Sequence, residues 1–163
     1  MPCYETHRRL AVDDGCFIRG GNGAWPVPTD AHLYVGFKLP LRETPAPSIP
    51  FPITDFRAPA DADAYKTLVA LVSDFLRPDR KVHAGCVGGH GRTGTFLAAL
   101  VAYRRDLGID GMAGIADPID YVWRAAAGGR SAAGFRAGVA IDRRAVRTAE
   151  TRRDARDPER VVQ

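Results

Sequence analysis

The sequence predicts an α/β protein, and three stretches of the chain support this prediction. Residues 61–76 repeat apolar side chains at helical spacing, residues 81–84 are typical of a short buried strand, and residues 94–107 are again mostly apolar. The order is therefore helix, strand, glycine-rich loop, helix. At 163 residues, the chain suits one domain with a core of its own.

We expect this domain to span residues 1–150 and to be followed by a charged, solvated tail at 151–163. The net charge of +4 makes an acidic partner plausible but does not establish nucleic-acid binding. No apolar run approaches the roughly 20 residues that a membrane helix needs. Residues 1–10 also lack the apolar core of a signal peptide. We therefore predict a cytoplasmic protein that does not act at a membrane.

The first half of the chain predicts strands separated by turns. Residues 17–19 suit a short strand, and the Gly-Gly-Asn-Gly run at 20–23 predicts a turn after it. Residues 33–37 are aromatic and β-branched, which favours a second strand. Four prolines between residues 45 and 52 exclude a helix or a central strand there.

The second half predicts helices with recognisable ends. Asp61 is placed to cap the first helix, which Pro78 ends. The helix that starts near Gly94 stops at Gly108. Asp117 and Pro118 then suit the N-cap and first turn of another helix. Residues 131–148 predict a last one with apolar residues inward.

One loop between the predicted strand and helix carries the chemistry. Five residues separate Cys86 from Arg92, and Thr93 follows the arginine. The intervening residues are rich in glycine, which lets successive backbone N–H groups converge on an anion. Arg92 adds a planar fork for two oxygens, and the following helix directs its positive end at the same place. Positive charge there also favours the nucleophilic thiolate of Cys86 over the thiol.

This Cys-x5-Arg-Thr loop resembles the signature of the cysteine-dependent protein tyrosine phosphatase superfamily, His-Cys-x5-Arg followed by Ser or Thr. Its glycine-rich interior is most similar to the dual-specificity and other compact branches. The resemblance covers roughly residues 33–140 and implies a central, mostly parallel sheet flanked by helices, of the phosphotyrosine protein phosphatase II-like type. The sequence departs from the signature at Gly85, where the family has histidine; His83 lies two residues earlier.

The resemblance implies a role for each loop residue. Cys86 would attack phosphorus, while Arg92 and the loop amides would hold the phosphate oxygens. The hydroxyl of Thr93 would stabilise the thiolate that leaves. No metal or other cofactor is required, because amides and arginine stabilise the charge. The expected substrate-binding residues of the loop are Val87, Gly88, Gly89, His90 and Gly91.

The general acid is expected on an irregular, proline-rich segment. Asp55 lies 31 residues before Cys86 (86 minus 55) and reproduces, with Pro59, the Asp-x-x-x-Pro pattern of the compact branch. The chemistry needs such a group, because an alkoxide or phenoxide leaves poorly unless an acid protonates it. Asp61 and Asp63 are alternatives, although Asp61 is occupied as a helix cap. Asp55 could instead be a turn residue that bonds its own backbone.

Other interpretations of these residues remain open. Cys86 could be a buried hydrophobe or a rhodanese-type sulfur carrier, and His83, Cys86 and His90 are close enough in sequence to suggest zinc. A nucleotide-binding loop would need a lysine that this stretch lacks. An inactive binder of phosphorylated ligands could retain Arg92 and the glycines. Cys3 and Cys16 are expected to be free, with the alternative that one of them protects Cys86 through a reversible disulfide.

The predicted activity is thus hydrolysis of phosphate monoesters through a phosphocysteine, with a protein tyrosine or dual-specificity phosphatase as the first choice. The substrate would be a phosphorylated protein or small molecule. A phosphoinositide, an inositol phosphate or an RNA 5′-phosphate would fit the same loop. We expect the protein to be a monomer.

Overall fold

The computed structural model describes residues 9–13, 15–22, 26–41, 43–55, 57–88, 91–127 and 145–147. Within these residues the elements, in chain order, are β1 (Arg9–Ala11), β2 (Phe17–Asn22), β3 (Leu33–Gly36), β4 (Ser48–Pro50), α1 (Ala62–Phe75), β5 (Val82–Cys86), α2 (Gly91–Asp106) and α3 (Pro118–Ala127). The combination of these strands with helices that pack against them confirms the predicted α/β class.

The strands form one sheet in the order β1-β2-β5-β3-β4, with β5 at its centre. Only the β1–β2 pair within this sheet is antiparallel, and the other three pairs are parallel. The expected central, mostly parallel sheet is therefore confirmed. The proline-rich segment contributes only the edge strand β4, where Pro50 removes no hydrogen bond from the interior of the sheet.

Helix α2 is the core of the domain. Every residue from 92 to 104 is buried, because the helix is mostly apolar on all sides and contacts β2, β5, α1 and α3. It begins at Gly91, three residues before the predicted start at Gly94. The N-terminus of this helix therefore directly adjoins the glycine-rich loop that is predicted to bind an anion, and the burial of the helix holds that end in place.

The predicted turn at residues 20–23 is wrong for its first three residues, which continue β2 as far as Asn22. The reason is a close approach between sheet and helix. A Cβ atom on Gly20 would lie 2.8 Å from Leu97 Cδ1 and 3.1 Å from Thr93 Cγ2. Glycine at this position allows α2 to pack against the strand, which is a packing role and not a turning role.

The predicted caps at Asp61 and Asp117 and the predicted stop at Gly108 are found where the sequence placed them. Asp61 caps α1 by accepting a hydrogen bond from the Ala64 N–H at 2.9 Å, and Asp117 accepts from the Ile119 N–H at 2.9 Å at the start of α3. Gly108 ends α2 with a φ of 70°. The helix predicted over 131–148 lies outside the described residues except at 145–147, and the predicted tail lies wholly outside them.

Across the segments that the structure describes, no helix has both the length and the apolar character needed to cross a membrane.

Candidate active site

The candidate nucleophile lies where the central strand ends. Cys86 is the last residue of β5, is 4% exposed, and has Asn22, the last residue of β2, as its neighbour across the strands. Helix α2 begins five residues later at Gly91. Ligands of open α/β sheets bind outside the carboxyl ends of the strands, so this is the expected edge for a binding site.

The loop between β5 and α2 is partly open to solvent. Val87 is 45% exposed and Gly88 is also exposed, whereas Gly91 is half-buried as the first residue of α2. Gly89 and His90 lie outside the described residues, so their expected contacts with substrate stay predictions. The start of α2 presents backbone N–H groups and the positive end of the helix to this loop.

Arg92 connects the loop to the proline-rich segment that carries Asp55. Its Nη1 donates a hydrogen bond to the Ile53 carbonyl at 3.1 Å, and its Nη2 lies 3.5 Å from Asp55 Oδ1. The guanidinium is only 9% exposed, yet its Nε has no hydrogen-bond partner among the described residues. The two motifs that the sequence singled out therefore meet at this one side chain.

Backbone hydrogen bonds also join the two motifs. The Phe37 N–H donates to the Gly85 carbonyl at 2.9 Å, and the Ile53 N–H donates to the Phe37 carbonyl at 3.1 Å. The peptide just before Cys86 is thus linked through Phe37 to the acid-bearing segment. The Asp55 side chain itself is 61% exposed, so its carboxyl group borders the site and remains in contact with solvent.

Thr93 contributes a second buried polar atom without a partner. The residue is completely buried, and its Oγ1 makes no hydrogen bond within the part of the chain that the structure describes. Buried polar groups in folded proteins are nearly always paired, so such an atom calls for an explanation. Thr93 Oγ1 and Arg92 Nε are therefore two buried polar atoms at the start of α2 that form no hydrogen bond with the described residues.

His83 is buried in the sheet. It is 3% exposed, and its ring stacks on that of Tyr34 with centroids 5.8 Å apart and planes 28° apart. His83 is therefore a histidine of the core. Among the described residues, no group of three His, Cys, Asp or Glu side chains is arranged to hold a metal ion.

Cys16 cannot protect Cys86 by a disulfide in this fold. It immediately precedes β2, whose other end pairs with Cys86, so about six strand residues, or roughly 20 Å, separate the two. A disulfide needs Cα atoms within about 7 Å. Burial, together with a hydrogen bond to Asp13, also raises the pKa of Cys16 to about 11. This thiol is therefore neutral and unreactive at neutral pH.

Two contributors to the site were missed by sequence reasoning. The Ile53 carbonyl is a main-chain group, so no side-chain pattern marks it. Tyr34 lies on β3, and its hydroxyl oxygen is 2.9 Å from the place where a Cβ on Gly85 would be. That contact depends on the register between β3 and β5, which local sequence does not specify.

Comparison with known proteins agrees with this geometry. Residues 35–106 match the family model described as "Tc-R-P: Polymorphic toxin system, DSP-PTPase phosphatase". Two Methanocaldococcus jannaschii proteins, MJ0215 and MJECL20, are each 35% identical over 80 residues, which is 47% of this chain. The aligned part is 42% of the first and 45% of the second, so the chain spans less than half the length of these curated relatives.

Two solved structures extend the comparison to most of the chain. The structure of Tk-PTP in its active form has a TM-score of 0.60 at 20% identity and covers 89% of this chain and 97% of its own. The structure of P. aeruginosa TpbA in complex with pTyr has a TM-score of 0.45 at 17% identity and covers 91% of this chain and 98% of its own. Tk-PTP shows the same fold as this chain. The family match and this fold confirm the resemblance to the cysteine-dependent protein tyrosine phosphatase superfamily.

Proposed function

We propose that this chain is a protein tyrosine or dual-specificity phosphatase that hydrolyses phosphate monoesters through a phosphocysteine intermediate. The observation that carries the proposal is the convergence at Arg92. This residue lies six positions after Cys86, contacts the segment of Asp55, and keeps a buried donor without a described partner. The proposal is supported by the contact between Arg92 and Asp55, and by the position of Cys86 at the end of the central strand, five residues before α2 begins.

In the first step, the Cys86 thiolate attacks phosphorus and the bond from phosphorus to the leaving oxygen breaks. Asp55 gives its proton to that oxygen, so an alcohol or phenol departs and not an alkoxide or phenoxide. Arg92 and the loop amides hold the three equatorial oxygens throughout. Their charge stabilisation is largest where the negative charge is concentrated in the transition state.

In the second step, water attacks the phosphocysteine and Asp55, now a carboxylate, takes the proton from that water. Inorganic phosphate leaves and the thiolate of Cys86 is regenerated. The Thr93 hydroxyl lies seven residues after Cys86 at the start of α2, and its unused hydrogen-bonding capacity suits a donor to that thiolate. Its role, like those of Val87 to Gly91 in binding, is part of the proposal.

The test compares the parent with Cys86→Ser and uses Cys16→Ser as the matched control. Cys86→Ser should abolish hydrolysis of an aryl phosphate while still binding inorganic phosphate, whereas Cys16→Ser should keep normal turnover. A panel of phosphotyrosine and phosphoserine peptides, phosphoinositides and 5′-triphosphorylated RNA identifies the substrate class. Asp55→Asn should lower the rate of hydrolysis of alkyl phosphates by about 100-fold or more. The hydrolysis of activated aryl phosphates, whose leaving groups need less protonation, should slow by less. Undiminished turnover by Cys86→Ser would exclude the mechanism.

The description of the matched family favours one further role. Its words "polymorphic toxin system" suggest that the phosphatase acts against phosphorylated molecules of a target cell. Expression of the parent inside a bacterial host should then slow growth, and Cys86→Ser should not. Equal growth of the two strains at equal protein levels would argue against toxicity and leave the hydrolytic proposal intact. The cytoplasmic location and the monomeric state stay predictions.

A further inference from the structure

Two glycines of neighbouring strands lie beside the aromatic ring of Tyr34. Strands β3 and β5 pair in parallel with Tyr34 opposite His83 and Gly36 opposite Gly85. Residues two apart in a strand share a face, so these four residues lie on one face of the sheet. This face points away from α2. Gly20 pairs with Ala84 across β2 and β5 and faces that helix, and His83 and Gly85, the neighbours of Ala84 in β5, lie on the opposite face.

The Tyr34 ring occupies the space that a side chain at Gly85 would need. A Cβ on Gly85 would lie 2.9 Å from the tyrosine hydroxyl oxygen and 3.4 Å from its Cε2, whereas a Cβ on Gly36 would meet Leu41 Cδ2 first and Tyr34 Cε1 at 3.1 Å. The ring is 5% exposed and stacks on His83. It is therefore held between its neighbours, with its hydroxyl group at the residue directly before Cys86.

The position of Gly85 matters to both halves of the site. Its peptide bond leads into Cys86, and its carbonyl accepts the hydrogen bond from Phe37, which continues to Ile53 and the segment of Asp55. A shift of this peptide would therefore move the sulfur relative to Arg92 and the acid-bearing segment. A displacement of about 1 Å in a reacting group can cost on the order of 100-fold in rate.

We propose that Tyr34 is a positioning residue for Cys86. Its hydroxyl fills the space of a side chain at residue 85 and fixes the backbone where the strand enters the anion-binding loop. The contact between the Tyr34 hydroxyl and residue 85 also accounts for the glycine at that position, because any larger residue would collide with the tyrosine. The phosphatase signature that this loop resembles has histidine there. This positioning role rests on the proposed function, because it takes Cys86 to be the nucleophile.

A double-mutant cycle over Tyr34→Phe and Gly85→Ala tests the contact. Gly85→Ala introduces the collision at 2.9 Å, and Tyr34→Phe leaves the hydroxyl's space empty. Each single variant should lower kcat, the alanine variant by about tenfold or more, with KM nearly unchanged. In the double variant the new methyl group fills the emptied space, and its next contacts are at 3.4 and 3.5 Å. The double variant should therefore be faster than Gly85→Ala alone, a non-additive result.

The control for a general effect of replacing glycine is Gly114→Ala, because a Cβ there has no atom within 4 Å. The rate of Cys86 alkylation by iodoacetamide, followed on its own peptide by mass spectrometry, reports thiol reactivity without turnover. Alkylation should follow the same pattern as kcat while the melting temperatures of the folded variants stay close together. If the parent hydrolyses no substrate but the alkylation pattern holds, the proposed function fails and the positioning role stands.

Three results would overturn the proposal. The first is a double variant that is no faster than Gly85→Ala in either kcat or alkylation. The second is a Gly85→Ala variant that behaves like Gly114→Ala. The third is a loss of kcat and alkylation rate that simply follows the loss of thermal stability across the series, which would make Tyr34 a packing residue only.

Discussion

Helix α2 carries a buried arginine near each end, and the two differ in how their hydrogen-bond donors are used. Arg104 is 4% exposed and donates to the Val12 carbonyl, to the carbonyl and hydroxyl of Ser73, and to the Asp13 carboxylate. Arg92 is 9% exposed, donates to one carbonyl, and retains a buried Nε with no partner among the described residues. Twelve residues of helix, about 18 Å, separate them.

The difference fits a structural role for the Arg104 end of the helix and, under the proposed function, a binding role for the Arg92 end. At Arg104, one guanidinium joins α2 to α1 and to the connection between β1 and β2, and its partners are all in the protein. At Arg92, the buried Nε has no partner among the described residues, and neither has the buried hydroxyl of Thr93, the next residue. Because most buried polar groups are paired, a pair of unused ones in a single turn of helix is a stronger sign of a ligand site than burial alone.

The largest effect should come from replacing Arg92 by lysine. Lysine keeps the positive charge but cannot contact two phosphate oxygens with a planar fork. We expect kcat/KM for an aryl phosphate to fall by about 100-fold or more, comparable to the loss of one oxyanion donor. Near-normal turnover by a folded Arg92→Lys protein would mean that this arginine, like Arg104, is structural.

The same substitution at the other end should act on stability. Arg104→Lys keeps a charge near Asp13 but leaves the Val12 and Ser73 acceptors without all of their bonds, at a cost of about 2 kcal/mol in the free energy of unfolding. Urea denaturation measures this change, and kcat/KM at a temperature where the variant is folded should stay within about threefold of the parent. A large loss of turnover with unchanged stability would contradict the division of roles.

Sequence reasoning reached the elements whose signals are local. The caps at Asp61 and Asp117, the apolar helix α2 and a buried strand before the loop follow from spacing and from residue type, because each depends on residues a few positions apart. The strand predicted over 81–84 is found as β5, two residues longer at its end. The position of Cys86 relative to Arg92 also follows from the loop itself. These features needed no knowledge of how distant segments pack.

Features that depend on distant contacts were out of reach. Residues 20–22 are predicted to form a turn because runs of glycine are typical of turns. Only the close packing of α2 against Gly20 explains why glycine lies in a strand here. The partners of Arg104 lie more than 30 residues away along the chain, so nothing near it in sequence marks the network. Tyr34 and Gly85 meet only once the register of β3 and β5 is known.

Two buried cysteines among the described residues, Cys16 and Cys86, extend the comparison between the ends of the sheet. Cys86 lies at the carboxyl end of β5, whereas Cys16 precedes β2 near the opposite edge, where its backbone N–H donates to Asp13 at 2.8 Å. The pKa of Cys16 is raised from 9.0 to about 11, chiefly by burial and, in the same direction, by the hydrogen bond and the charge of the adjacent Asp13 carboxylate. A thiol in this environment serves as a small apolar group.

This raised pKa predicts the smallest of the effects, a loss of stability in alkali. Below about pH 9 the thiol is protonated in both the folded and the unfolded chain, so its contribution to stability is fully present. Between about pH 9 and 11 the unfolded chain releases the proton while the folded chain retains it, and the folded state loses that contribution. The difference in unfolding free energy between the parent and Cys16→Ala should therefore shrink as the pH rises through this window. Denaturation of both proteins at each pH cancels the titration of Tyr121, whose pKa is also raised by burial. A difference that stays constant from pH 8 to 11 would show that Cys16 does not titrate differently in the folded protein.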